Sequence, residues 1–359
     1  MTGGAPELVP VLERHRFDEA ALARVLRGQL PGFGGAGPVI VRQFQGGQSN
    51  PTFHLATPAG EYVLRKKPPG KLLPSAHAVE REYRVLQALQ GSGVPVPAVR
   101  WLCEDASVIG TPFFVMDHVP GRVFPDRVMR EGTPADRAAI YADLARVLAA
   151  LHGVEWSAAG LSEFGRAERY MERQVARWTG QWQAAKVEEM PAMDRLAEWL
   201  PRHLPPDDET VVVHGDYRLG NVILHPTEPR IVAVLDWELS TLGHPLADLG
   251  YACLTYHLPP GPEGVGGVLG VEAPGTGIPT QAEFVARYCR EAGRAVPAEL
   301  DVFVVFSMFR LASILAGVWR RALDGNAADP RAIGYRERYR AMAEDAWTIA
   351  RRIGGERGA

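Results

Sequence analysis

An eight-residue segment between two apolar runs constrains this chain more than any other feature. It reads His-Gly-Asp-Tyr-Arg-Leu-Gly-Asn over residues 214–221, and Asp236 follows at the end of the apolar run 231–235. Valines fill positions 211–213 before the segment, and Val-Ile-Leu occupies 222–224 after it. Short apolar runs of this kind indicate buried strands, so the polar residues are predicted to lie in loops at strand ends.

The spacing of these polar residues suits phosphoryl transfer from a Mg²⁺-bound nucleotide. The protein-kinase catalytic loop runs H-R-D-x-x-x-x-N, with a metal-binding Asp further along. His214, Asp216 and Asn221 keep that spacing, and Gly215 replaces the Arg. Mg²⁺ prefers oxygen ligands, so Asn221 and Asp236 are the predicted metal ligands. Asp216 is the predicted catalytic residue, because an attacking hydroxyl needs a carboxylate near its proton. A turn or cap role is the simpler interpretation of a lone Asp.

At these residues the chain resembles the aminoglycoside phosphotransferase family, within it the subgroup associated with acyl-CoA dehydrogenases. The resemblance continues over residues 242–250, where His244 replaces the first Asp of a family motif and Asp248 matches the second. In relatives this second Asp braces the catalytic loop, a role compatible with that of a carboxylate in the first turn of a helix. The resemblance covers residues 30 to 325 approximately, and it implies a protein-kinase-like fold.

The predicted elements follow the order of an α+β, protein-kinase-like fold with two lobes. The smaller lobe, residues 1–118, is predicted to bind nucleotide through a small antiparallel sheet and one main helix. The larger lobe, residues 119–359, is predicted to be mostly helical and to carry catalysis and substrate binding. Strands are predicted over residues 39–44, 52–56, 61–65, 99–103 and 113–116. Helices are predicted over residues 19–26, 76–89, 135–151, 163–183, 193–200, 246–256, 281–292, 300–323 and 332–352.

The turn after the first predicted strand is a candidate phosphate cover. Gly46 and Gly47 lie there, and backbone N–H groups without a Cβ nearby can approach phosphates closely. An ordinary hairpin glycine is the simpler interpretation. In relatives, residues at the positions of Ser49 and Asn50 would bind phosphate oxygens.

A cation for the α- and β-phosphates is expected on the third strand. Alignment with the V-A-I-K pattern of kinases puts Arg65 at the lysine position. Side chains alternate along a strand, so Val63 and Arg65 are predicted to face the cleft and Lys66 to face away. Arg65 is therefore the preferred phosphate clamp, with Lys66 as the alternative. The family's helix glutamate maps onto Glu82, although a solvated surface pair is the simpler interpretation of both residues.

The resemblance also implies that backbone groups before a hinge bind the adenine. They belong to Asp117, His118 and Val119, and Met116 is expected to line the pocket behind them. A buried core residue is the simpler interpretation of Met116. ATP and Mg²⁺ are the cofactors that this set of residues predicts.

Composition narrows the class of partner. The net charge of −3 predicts no nucleic-acid binding. The longest apolar run, residues 302–318, is broken by polar residues and predicts a buried helix, so no membrane partner is expected. Three unpaired cysteines and the lack of a visible signal peptide predict a cytoplasmic protein.

The sequence leaves several acceptor substrates possible. Charges in the predicted helix 163–183 are mixed, which disfavours a polycationic aminoglycoside. Its aromatic stripe, Tyr170, Trp178 and Trp182, indicates core packing more readily than a ligand site. The subgroup resemblance implies a small hydroxylated metabolite such as a hydroxyacyl-CoA. The alternatives are an aminoglycoside O-phosphotransferase and a catalytically silent nucleotide-binding module, and retention of both acids disfavours the second.

Overall fold

A six-stranded antiparallel sheet forms the first part of the molecule. The computed structural model describes residues 4, 6–30, 33, 37–45, 50–68, 78–205, 209–261, 266–326 and 330–355. The strands are β1 (Leu8–Val9), β2 (Ile40–Phe44), β3 (Thr52–Thr57), β4 (Gly60–Lys66), β5 (Val99–Cys103) and β6 (Phe113–Asp117). Their order in the sheet is β1-β2-β3-β4-β6-β5, so a central strand, β4, carries Arg65.

Two helices cover opposite faces of this sheet. Helix α1 (Glu19–Gln29) begins after Asp18, whose side chain accepts a hydrogen bond of 2.8 Å from the Ala21 N–H. It packs on the face that carries Leu64, and helix α2 (Val79–Leu89) packs on the face that carries Val63. Alternation along β4 therefore decides which side chains reach the interior of the molecule.

The second part of the molecule is mostly helical. Its helices are α3 (Pro134–His152), α4 (Tyr170–Ala185), α5 (Pro191–His203), α6 (Pro245–Cys253), α7 (Gln281–Glu291), α8 (Leu300–Leu323) and α9 (Tyr335–Ile353). Two antiparallel ribbons pair β7 (Val211–Val213) with β10 (Thr241–Gly243), and β8 (Val222–Leu224) with β9 (Ile231–Val234). Helix α8 is long and apolar enough to cross a membrane, but 72% of its most apolar window is buried inside the protein.

Most predicted elements are present, and the differences have local causes. The helix predicted over 163–183 was wrong at its start, because Arg169 adopts a left-handed conformation (φ 53°, ψ 39°) and α4 begins at Tyr170. The helix predicted over 246–256 ends at Cys253 and continues as a single tighter turn. Strands β1 and β10, of two and three residues, were not predicted because runs that short carry no periodic signal.

The α+β class and the antiparallel sheet are confirmed. The boundary between residues 118 and 119 stays a prediction. The first residues of the helix predicted from residue 76 lie outside the described residues, and the described part of α2 begins at Val79.

Candidate active site

The loop from β7 to β8 is held rigidly by its own histidine and glycine. The buried His214 ring donates from Nε2 to the Leu235 carbonyl at 2.9 Å and accepts the Asp216 N–H at Nδ1, 3.1 Å away. Gly215 has φ +82°, and a Cβ there would lie 2.8 Å from the Leu239 carbonyl oxygen. An arginine at this position would be strained and would clash, which explains its replacement by glycine.

Asp248 supports the same loop from below. Its two carboxylate oxygens accept the N–H groups of His214 at 2.5 Å and Gly215 at 2.8 Å. Burial acts to raise the pKa of Asp248, but the hydrogen bond and charge of His152, with the His214 N–H, hold that pKa below its ordinary value. Asp248 also lies in the first turn of α6, so both interpretations made from sequence describe its position.

Asp216 and Asn221 are joined directly. The Asn221 side-chain N–H₂ donates to the Asp216 carbonyl at 2.9 Å and to its Oδ2 at 2.7 Å. This pairing uses the amide nitrogen and leaves the amide oxygen as the metal-binding atom. Arg218 Nε lies 3.4 Å from the same Oδ2. The carboxylate of Asp216 is thus fixed at one edge by an amide and faces a cation.

Asp236 reaches the same region from the end of β9. The Leu235 N–H donates to the Asn221 carbonyl at 2.8 Å, which brings the two loops together. Asp236 is left-handed (φ 66°, ψ 59°), an uncommon conformation for a non-glycine residue that occurs preferentially at functional sites. Its side chain is 35% exposed, so a metal ion can reach the carboxylate.

Arg65 connects the sheet, α2 and the metal-ligand candidate. Its Nε lies 2.7 Å from Glu82 Oε2, and its Nη2 donates to Asp236 Oδ1 at 2.8 Å. The Asn50 amide donates to Glu82 Oε1 at 2.6 Å. Burial acts to lower the pKa of Arg65, but the charges of Glu82, Asp236 and Glu238 raise it above its ordinary value. Burial also raises the pKa of Glu82 to about 7, against the opposing effect of Arg65.

Lys66 lies on the other face of the sheet. It is 4% exposed, and its Nζ sits 5.6 Å from the centroid of the Phe17 ring and 5.9 Å from that of Phe53. Burial lowers the pKa of its amine. The structure thus places Arg65, rather than Lys66, in the cleft.

One cavity of about 550 Å³ lies between the sheet and the helical part. Apolar side chains line both walls, with Val63, Leu86 and Met116 on one side and Ile223 and Val234 on the other. The cavity also contacts eight residues predicted from sequence to serve the site, which are Arg65, Glu82, Met116, Asp117, His118, Val119, Asn221 and Asp236. A cavity with apolar walls, an arginine and carboxylates can accommodate a purine base and phosphates that carry a divalent cation.

At the hinge, the N–H groups of Asp117 and His118 already donate to the Ala98 and Glu61 carbonyls, at 2.9 and 3.2 Å. The Asp117 carboxylate is held by Arg100, with Nε–Oδ1 and Nη2–Oδ2 distances of 2.7 and 2.5 Å. A Cβ on Gly121 would lie 2.3 Å from the Leu224 carbonyl oxygen, so the hinge packs directly on β8. The remaining predicted residues, Gly46, Gly47 and Ser49, lie outside the described residues.

Sequence reasoning missed a second, smaller cavity of about 30 Å³ beyond Asp216. Arg127, Arg218, Tyr251 and Tyr256 are among its lining residues. Arg218 belongs to the catalytic segment and could have been noticed there. The others lie far along the chain at no recognisable spacing. Of the aromatic stripe on α4, Tyr170 and Trp182 are buried in the core, as the simpler interpretation predicted.

Comparisons with known proteins agree with this geometry. The model of the phosphotransferase enzyme family (APH) matches residues 40–303. The chain is 44% identical over 351 residues to acyl-CoA dehydrogenase family member 10 of Mus musculus, covering 98% of this chain and 33% of that protein. It therefore spans about a third of that relative's length.

Two solved structures extend the comparison. An aminoglycoside phosphotransferase homologue from Ralstonia eutropha is 46% identical, with a TM-score of 0.85 and coverage of 94% of this chain and 99% of that one. The aminoglycoside phosphotransferase APH(4)-Ia, in a ternary complex with AMP-PNP and hygromycin B, is 15% identical, with a TM-score of 0.59 and coverage of 92% and 98%. The second likeness shows the fold alone.

Proposed function

Because this chain belongs to the phosphotransferase enzyme family, we propose that it uses ATP and Mg²⁺ to phosphorylate a hydroxyl group of a small metabolite. The predicted resemblance, including the acyl-CoA dehydrogenase subgroup, and the kinase-like fold are confirmed. One observation carries the proposal. Asn221, hydrogen-bonded to Asp216, shares a single cavity with Asp236 and the Arg65–Glu82 pair.

Each residue then has a role that follows from its chemistry. Asp216 orients the acceptor hydroxyl and takes its proton. The oxygens of Asn221 and Asp236 are hard donors that fit Mg²⁺, which neutralises charge on the phosphates when bound. Arg65, held by Glu82, offers N–H donors to the phosphates. ATP as the nucleotide is supported by the AMP-PNP complex of the distant structural relative.

For the acceptor, we infer a hydroxylated metabolite such as a hydroxyacyl-CoA. The name of the curated relative, which joins this region to an acyl-CoA dehydrogenase family, supports this choice. An aminoglycoside is disfavoured because the cavity beyond Asp216 presents arginines to an incoming substrate. A silent module is disfavoured because Asp216 and Asp236 are both retained in the site. A cytoplasmic location stays our expectation.

The test is a turnover screen with purified protein. ATP consumption and phosphorylated product, identified by mass spectrometry, are measured with hydroxy acids, their CoA thioesters, amino sugars and choline-like alcohols. We expect product from one of the first two classes, its formation at least about 100-fold slower with Asp216→Asn, and unchanged turnover with the exposed control Asp324→Asn. Product formed equally well by Asp216→Asn contradicts the assigned role, and failure of the protein to bind or consume ATP contradicts the function.

The metal assignment has its own measurement. Calorimetry with Mg²⁺-ATP should show binding by the wild type and loss of the metal-dependent part in Asp236→Ala. Unchanged affinity in that variant would remove Asp236 from the metal site.

A further inference from the structure

The arginines beyond Asp216 carry charge that the surrounding residues do not neutralise. Arg127 donates to the Gly266 carbonyl. In the part of the chain that the structure describes, no carboxylate lies within 4.0 Å of its guanidinium nitrogens. The Arg310 guanidinium lies 5.1 Å from the centroid of the Tyr251 ring and 5.4 Å from that of Trp178, and its buried Nε has no hydrogen-bond partner. Charges shielded from water are normally paired, and the carboxylate that opposes these arginines, Asp216, already faces Arg218, so positive charge is in excess here.

The electrostatics of Arg127 agree with that deficit. Burial is the main cause that lowers its pKa, and the neighbouring Arg218 lowers it further, against the opposing effects of Tyr251 and Asp216. A guanidinium remains protonated in proteins even so. The positive charge is therefore present, and an anion bound here would be strongly favoured.

The small cavity lies where such an anion could be held. Its volume of about 30 Å³ is room for about two water molecules, so it can admit two oxygen atoms of an anionic group. Tyr256 lines it, is 5% exposed, and has a hydroxyl without a hydrogen-bond partner among the described residues. An unpartnered buried hydroxyl costs free energy unless a ligand or water completes it.

The cavity also adjoins the reaction centre. Tyr251 is one of its walls, and burial raises the Tyr251 pKa together with the charge of Asp216 and a hydrogen bond to it. Arg218 lines both this cavity and the nucleotide cavity, so it stands between the two sites. A group held in the small cavity would belong to the molecule whose hydroxyl reaches Asp216.

We propose that this cavity is the subsite that binds a negatively charged group of the acceptor, a carboxylate or a phosphate. Arg127 and the Tyr256 hydroxyl bind the anion, and Arg310 adds positive potential from behind Tyr251. The proposal rests on the proposed function and adds that the acceptor of the kinase is negatively charged. Two sources supply this chemistry, the carboxylate of a free hydroxy acid and a phosphate of coenzyme A. Arg218 faces both cavities, so Arg127 is the diagnostic residue.

The experiment compares two pairs of acceptors, and in each pair one member carries the anionic group that the other lacks. They are 3-hydroxybutyrate, its methyl ester, its CoA thioester and its pantetheine thioester. In the wild type we expect kcat/KM for one of the two anionic acceptors to exceed that of its neutral counterpart. A free acid better than its ester identifies the carboxylate, and a CoA thioester better than the pantetheine thioester identifies the phosphate.

The variants test the residues. Arg127→Gln should raise KM for the preferred anionic acceptor roughly 10- to 100-fold, as expected for a lost charge-assisted hydrogen bond. It should leave KM for ATP and kcat/KM for the neutral counterpart unchanged. Arg130→Gln is the matched control, because Arg130 is exposed and already paired with Asp126. Arg310→Gln, a second variant, should also raise KM for the anionic acceptor, but by less. It tests the subsite if Arg127→Gln does not fold.

Two outcomes overturn the subsite. One is equal kcat/KM for charged and neutral acceptors, and the other is an unchanged KM in both arginine variants. Calorimetric binding of 3-hydroxybutyrate and its CoA thioester without ATP separates this failure from failure of the kinase. Binding that Arg127→Gln weakens supports the subsite even without turnover, whereas turnover of neutral acceptors alone supports the kinase and refutes the subsite.

Discussion

Two arginines of the site, Arg65 and Arg127, have contrasting surroundings. Arg65 lies within 4.0 Å of three carboxylates, those of Glu82, Asp236 and Glu238. Arg127 has no carboxylate within 4.0 Å among the described residues, and its pKa is lowered by burial and by Arg218 against the smaller opposing effect of Asp216. Negative charge thus exceeds the positive charge of the guanidinium around Arg65, whereas no carboxylate of the described residues lies within 4.0 Å of Arg127.

The contrast shows that opposite local charges in one site suit two different ligands, the nucleotide and the acceptor. The region around Arg65 has an excess of acid, which suits a divalent cation carried in with the nucleotide. The region around Arg127 has an excess of base, which suits an anionic acceptor. Asp216 stands at the boundary, where a carboxylate can serve the hydroxyl of one ligand as it attacks the phosphate of the other.

The largest expected effect comes from removing the carboxylate charge of Asp216, which lies between the two regions. Asp216→Asn should lower kcat by about 10² to 10⁴-fold, the usual contribution of a general base. Calorimetric affinity for Mg²⁺-ATP should stay the same, since the Arg65 side of the site is intact. Weakened ATP binding of similar size would show that the two sides are not separable.

The next largest effect is expected for the loss of Arg65. Arg65→Met should lower the free energy of unfolding by about 3 kcal/mol or more, because Glu82 is left buried without its cation. Lys67→Met is a matched control, since Lys67, the residue after β4, pairs with Glu80 on α2 and both side chains are partly exposed, at 23% and 29%. That change should cost less than about 1 kcal/mol in urea denaturation. Equal losses would contradict the importance assigned to burial.

A pH dependence should follow from Glu82. Its folded-state pKa is raised to about 7 from 4.5, so the folded protein holds a proton there that the unfolded chain has released. Stability from this group is fully present below about pH 4.5 and is lost as pH rises through 7. The free energy of unfolding of the wild type should therefore fall by about 1–3 kcal/mol relative to Glu82→Gln from pH 5 to pH 8.

Urea denaturation at intervals across that range is the measurement. Glu80→Gln, at the partly exposed neighbouring pair, is the control and should run parallel to the wild type. A constant difference between the wild type and Glu82→Gln would show that Arg65 keeps the carboxylate ionised throughout.

The smallest effect is expected for Lys66, the alternative phosphate-binding residue. Lys66→Met should leave Mg²⁺-ATP affinity within about twofold, because Lys66 contacts Phe17 and Phe53 on the face away from the nucleotide cavity. Arg65→Met should weaken that affinity in the same calorimetric assay. The reverse ranking would return the phosphate clamp to Lys66.

Sequence reasoning went furthest where function depends on local spacing. Asp216 and Asn221 lie five positions apart in one loop, and the structure joins them by a hydrogen bond. Alternation along β4 correctly separated Arg65 from Lys66, since strand geometry alone decides which face each occupies. The start of α4 was missed because the left-handed backbone of Arg169 has no signature in residue type.

The sequence by itself determined the strand–loop–strand unit that presents Asp216, Asn221 and Asp236, because periodicity and motif spacing act over a few residues. Tertiary structure alone decided the charge balance on either side. Arg127 and Tyr251 line one cavity although they are distant in sequence, and Arg310 reaches Tyr251 because helix α8 packs on helix α6. Electrostatic energy depends on distance in space and on burial, and neither quantity is written in the order of residues along the chain.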